Sequence, residues 1–443
     1  MKKTLFFMSI GFLTTAVVCL LFMMFCAMIP DRFIEENAKE SAEYFKEEPL
    51  FGISIGELEN FKKDNYADCI TAGIAYHLSG ENPFISVISA DYNRVKGENV
   101  NVSFYREMQG EEVSTESYSR YWHGSAAVVR LLYTVMNAET MRYMMTIVGI
   151  ILQLCVLIEL VRRKQAVLGW IYIIAFLAVN GLFALECMEY AWVFILIPVG
   201  VLLLLNPRIN NKQSKICLAF MVMGMFTAFF DFLTTETLTF TIPFTIYYIV
   251  VYNNRLQKDI NKKLSRQSWL ALLYSGLSWC IGYAGMFLSK WFLVWITLGK
   301  GALDTAINSA MERVGGEVSL SLNMADEKAD LGQRLQGIAV RNLGCLFWGN
   351  SGMKVSTVLL ISLSVVSLLA VFWYLTRKER LNKWNRGILV IISLVPIVRF
   401  LLLSNHSYVH YFFTYRALMA TVIIVLYLIY ETTFLSQIGI KRK

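Results

Sequence analysis

Residues 141–164 read MRYMMTIVGIILQLCVLIELVRRK, an apolar run closed by three bases. At about 1.5 Å per residue, twenty such residues cover the roughly 30 Å of hydrocarbon in a bilayer, so the run is long enough to cross it as a helix. The bases mark its cytoplasmic end, because Lys and Arg in short connections accumulate on that side. Further apolar runs lie near 4–28, 166–186, 191–206, 216–234, 238–252, 269–289, 354–376, 387–404 and 411–434. Together with 141–161 they predict ten spans. The composition agrees: 443 residues, 56% hydrophobic and 17% charged, with a mean hydropathy of +0.50, do not describe a soluble globular chain.

The remaining basic clusters extend the argument to orientation. Lys2 and Lys3, Arg208 to Lys215, Arg255 to Arg266, Arg377 to Arg386 and Lys441 to Lys443 all fall on the face of Arg162 to Lys164 if the spans alternate. Both termini are therefore expected to be cytoplasmic. The first span reads as an anchor and not a cleaved signal, because no small-residue cleavage site precedes Pro30. The expected organisation is an all-α polytopic membrane protein: a first helix over 1–28, an extracytoplasmic domain over 29–139, helices two to seven over 140–289, a second outer loop over 290–352, and three helices with a basic tail over 353–443.

The first outer loop is acidic, and its end, SRYWHGSAAVVRLLYTVMN at 119–137, places Tyr121, Val128, Leu132 and Val135 at helical spacing. That pattern predicts an amphipathic helix lying on the outer leaflet. An unbroken helix over 269–298 would be roughly 45 Å long, more than the hydrocarbon needs, so it is expected to leave the membrane near Lys290 and turn along the surface. Five of the eight cysteines lie in apolar spans and Cys187 at a span end, which leaves Cys69 and Cys345 as the one candidate disulfide outside. No CxxC, Walker, HExxH or Gly-rich phosphate motif occurs, and nothing calls for a nucleic-acid partner.

Charge inside or beside the hydrocarbon is costly unless it is partnered, which singles out Lys290, Arg399 and Arg416 at the outer boundary. Snorkelling accounts equally well for Lys290, and an ion pair with Glu186, Glu189 or Asp231 would account for either arginine. Otherwise three cations at one depth suit a lipid phosphate or pyrophosphate, which arginine forks bind bidentately. All four histidines are expected outside. His406 and His410, four residues apart, are either interfacial residues, a divalent-metal pair lacking its third ligand, or part of a substrate site. A divalent metal is the one cofactor the pattern leaves open. Among the acids, Asp64 and Asp68 lie one helical turn apart ahead of an apolar run, with Asp64 also readable as an N-cap. Asp231 sits in a threonine-rich outer turn.

The architecture resembles the GT-C class of membrane glycosyltransferases: an N-in first span, a large acidic outer loop with an interfacial helix, many spans, and a second outer loop beside a late span. The strings DNYAD (64–68), RYWHG (120–124), FDFLT (230–234) and NHSYVHYFFTYR (405–416) are similar to those of a group of largely uncharacterised multispan proteins of Gram-positive bacteria associated with surface polysaccharide assembly. The resemblance implies a multi-pass protein of a bacterial plasma membrane that moves a sugar from a polyprenyl-phosphate donor to an extracytoplasmic glycan acceptor. One aspartate would take the acceptor proton, and cations would hold the departing phosphate. Asp68 is the expected base ahead of Asp64 and Asp231, because each of the latter has a capping role available. Lys290, Arg399, Arg416, His406, His410, Asp231, Arg120 and His123 are the expected binding residues, with no metal ligands. Tyr121, Trp122 and Trp291 could stack on sugar faces. One departure stands out, since GT-C enzymes usually carry their acidic motif directly behind the first span and here it comes later. The competing expectations are a lipid-linked glycan flippase, with charges reachable from both sides, and a non-catalytic assembly subunit.

Overall fold

A computed structural model describes residues 2–252, 263–315, 331–347, 349, 357, 362–366, 368–370, 373 and 383–432. Most of the expected eighth span at 354–376 lies outside these residues, as do 255–262, 316–330, 377–382 and the basic tail. The described chain is helical apart from one short antiparallel pair, β1 (Asp91–Asn93) with β2 (Thr115–Ser117). The helices are α1 (Lys2–Ala27), α2 (Glu35–Glu47), α3 (Asn65–His77), α4 (Pro83–Ser89), α5 (Val100–Met108), α6 (Gly124–Leu132), α7 (Ala138–Arg162), α8 (Ala166–Ala178), α9 (Gly181–Leu185) and α10 (Ala191–Leu205). They continue with α11 (Pro207–Asn210), α12 (Gln213–Phe230), α13 (Leu238–Tyr247), α14 (Lys263–Leu298), α15 (Lys300–Gly315), α16 (Leu331–Leu346), α17 (Lys383–Leu402), α18 (Ser404–Val409), α19 (Tyr411–Thr414) and α20 (Met419–Thr432).

Among the described residues five stretches are helical, long enough and apolar enough to cross a bilayer: Phe6–Ala27, Ala138–Arg162, Gln213–Phe230, Gln267–Leu298 and Tyr411–Thr432. Three expected spans correspond to shorter apolar helices, Ala166–Ala178, Ala191–Leu205 and Leu238–Tyr252. The run at 166–186 is broken because Asn180 adopts a left-handed conformation (φ 52°) between α8 and α9. The expected ninth span falls on α17.

Close helix contact is set by small residues. A Cβ on Gly282 of α14 would lie 2.0 Å from the Met221 carbonyl oxygen of α12, and one on Gly224 of α12 would lie 2.2 Å from that of Trp279. Only glycine lets the two backbones approach so far. Polar side chains within the bundle bond across helices where they can, because lipid offers no partner. Gln153 of α7 donates to the Phe194 carbonyl at 2.7 Å and accepts from the Tyr172 hydroxyl.

Two expectations fail here. The segment 119–137 is no single surface helix. It is the left-handed His123 (φ 58°), then α6, whose Arg130 is fully buried and donates to the carbonyls of Cys26, Ile29, Ala75 and Tyr76 and to Asp31. An arginine that ties the end of α1 to α3 has to sit inside, so α6 is a core element of the domain between α1 and α7, the one expected outside. Nor does the chain turn at Lys290. The helix α14 runs 36 residues, about 54 Å at 1.5 Å per residue, and bends away only at Gly299 (φ +86°). Its excess length supports the outer domain: Lys290 Nζ donates to the Val87 and Ile88 carbonyls at 2.9 Å, Trp291 Nε1 to that of Arg120 at 3.1 Å, and the Met286 carbonyl accepts from Trp122 Nε1 at 2.6 Å. Cys69 and Cys345 are both buried free thiols.

Candidate functional site

Seven separate segments meet at a polar cleft. It is lined by Phe51, Asp64, Tyr66, Ala67, Ile70, Tyr118, Glu189, Phe232, Arg313, His406, His410 and Phe413. Its volume of ≈ 70 Å³ is room for roughly two waters.

Asp64 caps α3: one carboxylate oxygen accepts the Ala67 N–H at 3.0 Å and the other accepts the Tyr190 hydroxyl. Burial pushes its carboxyl up to about 6 despite those two donors. Glu189, from the hairpin between α9 and α10, is raised well above the ordinary range by burial and then by the neighbouring Asp64 and Asp231 carboxylates. The opposite wall is basic. Arg313 reaches in from the end of α15, and His406 and His410 come from α18 and the residue that follows it. The two imidazoles lie 4.8 Å apart, and His410 stacks on Phe413 at 5.2 Å. Burial pushes His406 well below the usual imidazole range, helped by His410 and by Arg399 and Arg313, and holds His410 near about 3, so both rings are neutral at pH 7. Among the described residues, the buried Arg313 Nε and His406 Nδ1 have no hydrogen-bond partner. A buried polar atom left in that condition costs about 1–3 kcal/mol. Among the described residues no group of three His, Cys, Asp or Glu side chains converges as a metal site.

The cleft thus unites Asp64, His406 and His410 of the expected residues. Asp68 does not line it. Its Oδ2 accepts from Arg142 Nη2 at 2.6 Å, Arg142 Nε at 3.0 Å and the Met188 N–H, while Oδ1 accepts from the Glu189 N–H at 3.2 Å and from the Cys187 thiol. A fully buried carboxylate with both oxygens so occupied is a structural anchor that fixes the Glu189 hairpin against α3.

The three cations expected around one phosphate are separated instead. Lys290 serves the α4 carbonyls. Arg399 forms a buried fork on Glu236 (3.0 and 3.2 Å) and also holds the Leu233 and Thr234 carbonyls and Ser407 Oγ. Arg416 donates to the Phe412 and Asn60 carbonyls and lies over the Tyr190 ring at 5.6 Å. Asp231 caps its own turn through the Leu233 and Thr234 N–H groups, holding Leu233 at φ 72°. Arg120 covers the Tyr118 ring at 3.9 Å, and His123 Nε2 bonds the Tyr118 carbonyl while its ring packs on Phe232 at 4.7 Å. Trp122 is buried and bonded to α14, so it presents no sugar-stacking face. Several expected binding residues therefore brace the walls of the cleft from behind.

Arg313, Glu189, Tyr190, Tyr66, Tyr118 and Phe232 were not singled out as site residues from the sequence. Glu189 and Tyr190 carried a usable signal, polar groups in a short hairpin between apolar runs. Arg313 carried none, because a base in an outer amphipathic helix is ordinarily solvated. Comparison with family models, curated proteins and solved structures gives no match for this chain.

Proposed function

We propose that this protein is a membrane glycosyltransferase that uses a polyprenyl-phosphate sugar outside the membrane, with Asp64 as general base. The observation that carries the proposal is a carboxyl held at about 6 in the same cleft as two imidazoles and a guanidinium, with His406 Nδ1 and Arg313 Nε unpartnered among the described residues. Above pH 6 the carboxylate takes a proton from an acceptor hydroxyl as that oxygen attacks the anomeric carbon, and the Tyr190 hydroxyl keeps it oriented. The Arg313 side of the cleft receives the charge that develops on the phosphate oxygen as the sugar–oxygen bond breaks. Tyr66, Tyr118 and Phe232 offer ring faces to the sugar between them. A cleft with room for about two waters admits a sugar only when its walls part.

Base and cation on opposite walls of one outer cleft favour group transfer over passage through the membrane, which requires access from both sides. The test is reconstitution of purified protein in vesicles with polyprenyl-phosphate sugars and glycan acceptors, scored by a new glycosidic bond. Transfer that disappears in Asp64→Asn supports the proposal. Movement of the lipid-linked sugar across the bilayer with no bond formed overturns it in favour of a flippase, and neither event with any donor leaves an assembly subunit.

A further inference from the structure

A second cavity lies at the other end of the molecule. Between α1, α12 and α14 runs an open groove of ≈ 890 Å³, lined by Met8, Ser9, Phe12 and Leu13, by Gln213, Ser214, Cys217 and Met221, and by Tyr274, Leu277, Ser278, Ile281 and Gly285. Its α1 and α12 residues come from the turns that follow the basic starts of those helices, so it opens toward the face carrying the Lys and Arg clusters. The glycine contacts draw α12 onto α14, α1 packs against the pair with Gly11 beside Leu218 and Phe12 beside Gly285, and the groove is the gap between the three helices. Its polar side chains are concentrated at the mouth: Gln213 and Ser214 begin α12, and the half-exposed Tyr274 stands beside them. Deeper in, Ser278 Oγ is satisfied by the Tyr274 carbonyl at 2.6 Å, which leaves the wall apolar.

We infer that this groove is a binding site for an anionic glycerophospholipid of the leaflet on the basic side, with one acyl chain in the groove and the phosphate at its mouth. The occupant follows from the chemistry of the two ends. Within a bilayer an open apolar slot of this size takes a hydrocarbon chain, because neither water nor polar backbone is stable there. The headgroup is selected by charge. Lys212 directly precedes Gln213 and is exposed, Lys215 lies one turn on, and Arg208 is exposed in the same connection. Among these Lys215 reaches the Arg208 carbonyl at 2.7 Å, which holds its ammonium beside the mouth. No carboxylate lies within salt-bridge distance of these three cations among the described residues. A tyrosine at the mouth matches the level at which amphipathic rings settle in the interface. The site is separate from the Asp64 cleft, with which it shares no lining residue, and its role is to hold α1 against the glycine-packed pair.

The full-length protein, purified in mild detergent and incorporated in nanodiscs of equal phosphatidylglycerol and phosphatidylcholine, is re-extracted, and the retained lipid is counted by native mass spectrometry. Two lysines at the attraction typical near an anionic surface imply roughly a thirty-fold preference for the anionic lipid. The double change Lys212→Gln and Lys215→Gln replaces one exposed and one half-buried side chain, with glutamine still able to donate to the Arg208 carbonyl, and should reduce the preference to about unity. Leu277→Trp, on the lipid-facing side of α14, should lower retention of both lipids by filling the slot. Equal retention of the two lipids by the wild type, an unchanged preference in the lysine variant, or retention of added polyprenyl phosphate in place of phosphatidylglycerol overturns the inference.

Discussion

Replacing Asp64 by Asn keeps the shape of the side chain and removes its ability to take a proton. In the folded chain this carboxyl sits at about 6 against an ordinary 3.8, so holding it ionised above pH 6 costs roughly 3 kcal/mol at about 1.4 kcal/mol per factor of ten. Asn still caps α3 through its carbonyl oxygen, since Asn and Asp are nearly equal at an N-cap. The Tyr190 bond is already contained in that net cost, because it acts on the ionised form against the effect of burial. The Asn variant should therefore be more stable than the wild type by about 3 kcal/mol at pH 7, a Tm rise on the order of 3 °C, while transfer falls by about two to four orders of magnitude. The sign with pH follows from linkage. A carboxyl raised on folding binds its proton more tightly in the folded state, so wild-type stability falls as pH rises from about 4 to about 6. The gap between variant and wild type should be absent near pH 4, open across that window and stay constant above it, and wild-type transfer should rise through about pH 6. Thermal unfolding followed by size-exclusion fluorescence at pH 4, 5, 6 and 7, with transfer measured on the same samples, tests all of this. An Asn variant less stable than wild type at pH 7, a gap that ignores pH, or transfer within tenfold of normal would refute the reasoning.

Arg313→Lys should lower transfer about ten- to a hundredfold with little change in Tm, because the fork is lost while an ammonium can keep the bond to the Ser309 carbonyl and the place over the Tyr121 ring; initial rates against donor concentration check it. Asp68→Ala should leave Arg142 buried without its carboxylate and cost about 3–5 kcal/mol, seen as loss of the monodisperse peak, and Arg142→Met in the same chain should restore part of it. Gly282→Ala must separate α12 from α14, because its Cβ meets the Met221 carbonyl oxygen, and should cost about 1–3 kcal/mol in thermal unfolding.

What the sequence determined by itself is set by local chemistry. Runs such as 141–161 and 216–234 are helical because nothing else satisfies a backbone in hydrocarbon, and their lengths follow from bilayer thickness. DNYAD could be read as a cap followed by a helix turn, and Asp64 does cap α3. The choice between its two aspartates could not be made there. A capping carboxylate looked the more ordinary, yet Asp64 lines the cleft with one oxygen on the cap and the other on the Tyr190 hydroxyl, whereas Asp68 is consumed by Arg142, 74 residues away. The same holds for Arg399. Its need for a partner was legible in an apolar span, but the partner is Glu236, 163 residues distant, and not the acids first considered. Arg130 and Lys290 looked like surface or boundary cations and are buried on backbone carbonyls, an arrangement that only folded chain segments can supply. Spacing along a helix fixes which face a residue shares with its neighbours. Which carbonyl or carboxylate meets it across the bundle is decided when segments far apart in sequence pack, so the site at Asp64, Arg313, His406 and His410 exists only in the tertiary structure.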